Sequence, residues 1–251
     1  MADAVHDLGD SLSIGLAWLL SKLGSKEPNG AFTYGYQRFS LLGALINGLV
    51  LIAGSIWVLN AAIPRLFEPQ QPHAVGMFWL AILGVVVNGY AAFKLSHGKT
   101  LNERVLNWHL MEDVLGWVAV LIVAVTLMFV DWPILDPLLS IGFTLFILVN
   151  VVRNFIEASS LLMQGTPSGS LHSRVVEAVL EIEHVEETHH VHLWSLDGES
   201  HVLTAHLRLD KTVDSERQKE MKEEIGKVLD PFSFLHTTIE FEFPDEYCRD
   251  N

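Results

Sequence analysis

The stretch WHLMEDVLGWVAVLIVAVTLMFV, Trp108–Val130, decides the fold because it joins a polar head to a long apolar run. Val114–Val130 contains no charged residue, whereas His109 and Asp113 stand directly before it. A helix needs about 20 mostly apolar residues to cross the hydrocarbon core of a bilayer. The stretch therefore predicts a transmembrane helix with two ionisable side chains at its polar end.

Apolar segments of the same kind recur on both sides of this stretch. Three of them also lack charged residues: Phe39–Pro64, Ala74–Phe93 and Pro137–Val152. A fifth candidate, Ser11–Leu20, is apolar but follows a cluster of acids. The mean hydropathy of +0.32 and the charged fraction of 18% also set the chain apart from average soluble domains. The sequence predicts an α-helical multi-pass membrane domain of five spans over residues 1–165.

The composition changes after Gly165, and residues 166–251 predict a separate small domain. This part holds 19 acidic against 8 basic residues, which excludes nucleic acid as a partner. Its apolar periodicity predicts the order αββαβ, a ferredoxin-like α+β fold with a three-stranded sheet and two helices on one face. The predicted elements are helix 172–183, strand 189–196, strand 201–210, helix 216–229 and strand 236–243.

Basic residues concentrate in alternate loops and so predict the orientation in the membrane. By the positive-inside rule these loops and the C-terminal domain are cytoplasmic, which predicts a protein of the cell (inner) membrane. An odd number of spans would then leave Met1 outside, so we expect a further helix to be missing before it. The single cysteine, Cys248, fits a reducing compartment and is interpreted as an inert tail residue. The basic residues are Lys22, Lys26 and Arg38 in one loop, and Lys94, Lys99 and Arg104 in another.

His109 and Asp113 are four residues apart, which places them on the same face of a helix. His6 and Asp10 repeat this spacing at the polar start of the first predicted span. A carboxylate inside a membrane is costly unless it is paired, solvated or bound to a cation. Two imidazole nitrogens and two carboxylate oxygens form a tetrahedral set that suits Zn²⁺. The two pairs therefore predict one shared metal site.

Four motifs, which occur along the chain in the order of the family, resemble the cation diffusion facilitator family of zinc/proton antiporters. They are the HDLGD and HLMED pairs, FTYGYQRFSLLGALINGLVLI, DPLLSIGFTLFILVNVVRNFIEASSLLMQGTP and HHVHLWSLDGESHVLTAHLRLD. The resemblance implies efflux of a divalent cation, Zn²⁺ first and Co²⁺ or Cd²⁺ as alternatives, in exchange for protons. It also implies a homodimer in membrane lipid, with the family's first transmembrane helix lacking in this chain. The transport ligands it implies are His6, Asp10, His109 and Asp113.

The same resemblance implies a second metal site in the cytoplasmic domain. His189, His206 and Glu242 match zinc-binding positions of the family, with Glu240 and His236 as further candidates. Side chains on neighbouring strands can converge on one sheet face, so such a site is feasible. Trp194 is interpreted as a packing or dimer-contact residue.

Other functional classes leave different signatures. A non-transporting membrane metal sensor or partner subunit remains an alternative, because it would use the same ligands without flux. An intramembrane metalloprotease would require a motif such as His-Glu-x-x-His, which is absent from the sequence. Four protein ligands would also leave no open position for catalytic water. The chain is therefore not expected to be an enzyme.

Overall fold

The computed structural model describes residues 15–16, 19–20, 22–69, 71–95 and 101–250, without the side chains of residues 95, 101–110 and 112. Contacts divide these residues into two compact units. One unit is Leu51–Val151, and the other comprises the described residues before and after it.

Four long helices contain the predicted charge-free segments, except that the third of them ends at Phe129, one residue before the end of Val114–Val130. They are α1 (Arg38–Phe67), α2 (Ala74–Leu95), α3 (Leu101–Phe129) and α4 (Leu135–Leu162). By length and apolar composition, α1, α2 and α4 could each cross a membrane. In α3 the corresponding apolar part within the described chain is the shorter Asp113–Phe129. Most of the fifth candidate, Ser11–Leu20, lies outside the described residues.

Glycines allow the helices of the unit Leu51–Val151 to approach closely. A side chain in place of Gly84 on α2 would collide with the Trp117 ring on α3. Gly116 on α3 likewise lies against the Phe143 ring on α4. Small residues at such contacts are typical of membrane helix packing, which depends on close van der Waals fit. Large apolar side chains on α2, including Trp79, are exposed, as is expected of a surface that faces lipid.

The C-terminal domain has the predicted αββαβ order. A three-stranded sheet has the order β1-β2-β3, antiparallel between β1 and β2 and parallel between β2 and β3. Ser168 and Asp214 cap the two helices by accepting hydrogen bonds from backbone N–H groups. The elements are α5 (Gly169–Leu180), β1 (Val185–Ser195), β2 (His201–Leu209), α6 (Ser215–Leu229), a 3-10 turn (Asp230–Phe232) and β3 (Phe234–Glu242).

The sheet has a helix-covered face and an open face. Leu203 and Leu207 on β2 point into the core with Met221 of α6. The alternate residues of β2, which include Val202 and His206, lie on the open face. The open face carries the predicted ligands His189, His206 and Glu242.

A loop before α1 covers one end of the open face. Trp194, Val202 and His236 are register partners across the three strands. The Tyr34 ring makes edge-on contacts with Trp194 at 6.4 Å and with His236 at 5.1 Å between centroids. This cover explains why Val202 is only 1% exposed although it faces away from the helices.

Asn29 organises the loop that carries Tyr34. Its side-chain oxygen accepts hydrogen bonds from the N–H groups of Ala31 and Phe32, and its amide donates to the Tyr36 hydroxyl at 2.7 Å. The Phe32, Tyr36 and Phe39 rings pack together behind it. Tyr34 therefore projects from a folded loop, and this loop holds its ring against the sheet.

Replacing Tyr34 should release this loop from the sheet. In Tyr34→Ala, amide exchange within residues 25–37 should quicken about tenfold, since each aromatic pair contributes about 0.5–1.5 kcal/mol beyond its buried area. Tyr34→Phe keeps the ring and should behave as the wild type. Hydrogen exchange with mass spectrometry on the full chain in detergent measures this, and equal rates in all three proteins would contradict the docking.

Candidate metal centre

The strand register brings three predicted ligands together on the open face. His189 on β1 lies opposite His206 on β2, and His206 lies opposite Glu240 on β3. Glu242 follows two residues later, so its side chain points to the same face. On β2 the cluster at His206 lies four residues along the strand from Val202, which is in the row that Tyr34 covers.

Glu242 joins the two histidines by short polar contacts. Its Oε2 lies 2.7 Å from His189 Nε2, and its Oε1 lies 2.8 Å from His206 Nδ1. The residue exposures of His206 and Glu242 are 8% and 7%, whereas His189 is half-buried. Each carboxylate oxygen therefore has its own imidazole partner in a site that is nearly closed to water.

The charge of Glu242 depends on these partners. Burial raises the pKa of the Glu242 carboxyl. Hydrogen bonds from His206 and His189 oppose this effect and outweigh it, so the net pKa lies below its ordinary value. Glu242 is consequently a carboxylate at neutral pH. Two imidazoles and one carboxylate are ligand types that zinc prefers.

The distances suit a single bound cation. One donor atom from each of His189, His206, Glu242 and Cys248 lies within 4.8 Å of the other three. Donors around a tetrahedral zinc ion are about 3.3–3.7 Å apart. A cation would thus require movements of only about 1 Å from these side chains. The residues present fit a metal ion.

The structure separates the further candidates from this cluster. Glu240 pairs with Arg249 at 2.6 Å, and its carboxylate remains 3.9 Å from His206 Nε2. His236 lies under Tyr34, and Trp194 packs there as predicted. Sequence reasoning missed Cys248, which it treated as an inert tail residue. The available signal was its position six residues beyond Glu242, after a proline at residue 244.

The membrane site is described only in part. Helix α3 is continuous through His109 and Asp113, so its backbone places them one turn apart, and Asp113 is half-buried. His6, Asp10 and the side chain of His109 lie outside the described residues. The four-ligand transport site therefore stays a prediction.

Comparison with known proteins covers both parts of the chain. Residues 1–163 match the model of the cation efflux transmembrane domain, and residues 167–243 match that of the cation efflux protein cytoplasmic domain. The chain is 31% identical over 249 residues to the cadmium, cobalt and zinc/H(+)-K(+) antiporter of Bacillus subtilis strain 168, covering 96% of this chain and 79% of that protein. It is 31% identical over 255 residues to zinc transporter ZitB of Pectobacterium atrosepticum, covering 99% and 79%. It is 29% identical over 245 residues to the metal cation efflux system protein CzcD of Cupriavidus metallidurans, covering 96% and 77%.

The lowered pKa of Glu242 predicts a pH dependence in the metal-free protein. A carboxyl with a lower pKa in the folded state stabilises the fold above its unfolded pKa, about 4.3, and loses this contribution as pH falls through the folded pKa. Glu242→Gln should remove this acid-sensitive contribution to stability. It should also lower the free energy of unfolding by about 1–3 kcal/mol at neutral pH, since one imidazole loses its acceptor. Hydrogen exchange of β3 in EDTA, corrected for intrinsic rates, measures both effects. The exposed Glu187→Gln is the control, and an acid profile of Glu242→Gln identical to that of wild type would contradict the assignment.

Proposed function

The chain belongs to the cation efflux family, and we propose that it exports divalent metal cations, principally Zn²⁺, in exchange for protons. This is a family of transporters, and the protein is a multi-pass membrane protein with a cytoplasmic C-terminal domain rather than an enzyme. The observation that carries the proposal is the pair of His-x-x-x-Asp spacings at two apolar segments. The relatives named above as zinc, cadmium and cobalt transporters support the choice of metals.

The proposed transport site consists of His6, Asp10, His109 and Asp113. On a helix each pair presents one nitrogen and one oxygen donor from the same face. An imidazole binds a metal only when it is neutral, so a proton and Zn²⁺ compete for the same lone pair. Protonation of the ligands on one side of the membrane would then release the cation there. This competition supports the proposed exchange of metal for protons.

The proposed cytoplasmic site holds a resident cation between His189, His206 and Glu242. Its support is the convergence of these side chains from three strands and their burial. A cation there would link β1 to β3 through β2 and stabilise the sheet. We also propose that the protein is a homodimer that the cytoplasmic domain helps to hold together.

A metal sensor that does not transport is the second candidate, because the cytoplasmic cluster could report metal without any flux. The two functions differ in one measurement. A transporter in sealed vesicles moves zinc in the direction opposite to the protons that run down an imposed gradient, whereas a sensor binds zinc and leaves the gradient unchanged.

Removing one transport ligand should abolish flux. Asp113→Ala leaves the remaining ligands in a low-dielectric site with incomplete coordination, so zinc uptake into proteoliposomes should fall to the level of empty vesicles. Asp131→Ala provides the control, because Asp131 lies beyond the other end of α3 and is exposed. Wild-type flux in Asp113→Ala would overturn the site assignment, and absence of proton movement during wild-type zinc flux would overturn the exchange.

Removing one cytoplasmic ligand should abolish zinc binding at the cytoplasmic site and leave zinc binding at the transport site. In His206→Ala, zinc affinity at the cytoplasmic site should fall by more than about 100-fold, because even partners outside the ligand shell contribute 10–100-fold. Calorimetry on the full chain in detergent should then show one class of zinc site fewer per chain than in the wild type. His201→Ala, at the opposite end of β2, is the control. Unchanged stoichiometry in His206→Ala would place the metal elsewhere.

A further inference from the structure

The C-terminal tail after β3 folds back onto the open sheet face. Glu246 makes a reciprocal pair of hydrogen bonds with Phe243: its carboxylate accepts from Phe243 N–H at 2.9 Å, and its N–H donates to the Phe243 carbonyl at 3.0 Å. This turn reverses the chain and directs residues 248–250 toward the metal cluster. The tail is thereby placed by its own local hydrogen bonds.

Cys248 brings a sulfur atom to the cluster. Its Sγ lies 3.6 Å from His206 Nδ1, the nitrogen that also faces Glu242. The thiol is half-buried and stands within 4.8 Å of a donor atom of each of His189, His206 and Glu242. Its neighbour Tyr247 is 98% exposed, so the tail turns the cysteine inward and the tyrosine outward.

The next residues of the tail hold His206 in a ligand orientation. Asp250 Oδ2 lies 3.4 Å from His206 Nε2, on the side of the ring opposite Glu242. A carboxylate that accepts the N–H of one ring nitrogen leaves the lone pair of the other nitrogen for a metal, as metal-bound histidines generally require. The tail therefore supplies the Cys248 sulfur as a candidate metal-ligand atom. It also supplies the Asp250 carboxylate, which selects Nδ1 as the ligand atom of His206.

Arg249 fastens the tail to the sheet between these two residues. Its guanidinium lies 2.6 Å from Glu240 Oε2 on β3. Glu240 is the register partner of His206, so the ion pair anchors the tail beside the cluster. Cys248 and Asp250 thus contact the cluster itself, and Arg249 between them binds the strand beside it.

We propose that Cys248 is the fourth ligand of the cytoplasmic metal site, with His189, His206 and Glu242 as the other three, and that Asp250 orients His206. This rests on the proposed cytoplasmic site. The donor set of two nitrogens, one oxygen and one sulfur closes a tetrahedron and leaves no position for water, which is characteristic of a structural cation. On binding, the thiol loses its proton to solvent and the thiolate forms the metal–sulfur bond. The ring nitrogens of His189 and His206 that donate to Glu242 in the metal-free protein also give up those protons, since a metal binds only an unprotonated nitrogen. The soft sulfur makes the site better suited to Zn²⁺, Co²⁺ and Cd²⁺ than to Mg²⁺ or Mn²⁺.

The same assignment gives the tail a function. Without metal, residues 244–250 are held by the turn at Glu246, the Arg249 ion pair and the contacts of Cys248 and Asp250 to His206 and Glu242. A metal–thiolate bond adds a strong link between the tail and all three strands. Metal binding should therefore order the tail as well as the sheet.

Cobalt provides a direct test, because Cys248 is the only cysteine of the chain. The full chain in detergent is titrated with Co²⁺, which takes the place of Zn²⁺, and its absorption spectrum is recorded. A sulfur-to-cobalt charge-transfer band in the near ultraviolet reports a thiolate ligand, and it can arise in this protein only from Cys248. The visible ligand-field bands report tetrahedral cobalt regardless of the ligand type.

We expect the charge-transfer band in the wild type and in the control Tyr247→Ala, and its loss in Cys248→Ser and His206→Ala. Asp250→Asn should keep the band but weaken cobalt affinity about tenfold or more, as outer partners of metal-bound histidines do. Cys248→Ser should also weaken Cd²⁺ binding more than Zn²⁺ binding.

The possible failures are distinguishable. If the visible bands of the wild type are lost in His206→Ala but no charge-transfer band appears in the wild type, the role of Cys248 is overturned and the proposed cytoplasmic site stands. A charge-transfer band that persists in His206→Ala would show that the thiol binds cobalt elsewhere or between two chains, and would overturn the proposal. Visible bands that are identical in wild type and His206→Ala, without a thiolate band, would overturn the cytoplasmic site and Cys248 together.

Discussion

The cost of burying an unpartnered carboxylate is the constraint on which both parts of this protein depend. In the sheet, Glu242 is 7% exposed and has an imidazole within 2.8 Å of each of its oxygens. In α3, Asp113 stands at the head of a charge-free run and requires pairing, water or a cation of its own. A charge that is retained in such surroundings is costly to the fold unless its partners are present. Cation binding by histidine and carboxylate is one chemistry that satisfies this requirement in both places.

Features that depend on local sequence periodicity could be predicted. The charge-free segments predicted helices because a backbone in lipid must satisfy its hydrogen bonds internally. The apolar periodicity predicted the strand at 201–210, and the Asp197-Gly198 pair before it is typical of a turn. Gly198 indeed has a positive φ of 102°, and the Asp197 side chain accepts hydrogen bonds from the N–H groups of Glu199 and Ser200. Helix ends extend beyond the charge-free runs because polar residues continue the helix outside the apolar span.

Features that depend on long-range packing could not be predicted in this way. Cys248 belongs to a tail without periodicity, and its place at the cluster results from a turn that depends on Glu246. The same holds for Tyr34, which is distant from Trp194 in sequence and meets it only because Asn29 folds the loop. His190 is a third case: it sits at a β-bulge with φ of 48°, which brings its ring to 5.2 Å from that of His206. A one-residue bulge changes which side chains share a face, and sequence spacing alone does not reveal it.

The topology of the sheet explains why the Tyr34 loop and the C-terminal tail both pack on its open face. Two helices cover one face of three strands and leave the other face to water, although β2 places Val202 there. The chain covers the apolar end of this face with Tyr34 and the polar end with the tail. Because Val202 and His206 are four residues apart on one strand, the two covers are separated by about 13 Å along it. At the polar end two imidazoles, a carboxylate and a thiol lie close together, and one atom of each lies within 4.8 Å of the others, as a cation requires of its ligands. A face that the fold leaves uncovered thus becomes the place where sequence-distant segments, and the ligands they carry, can meet.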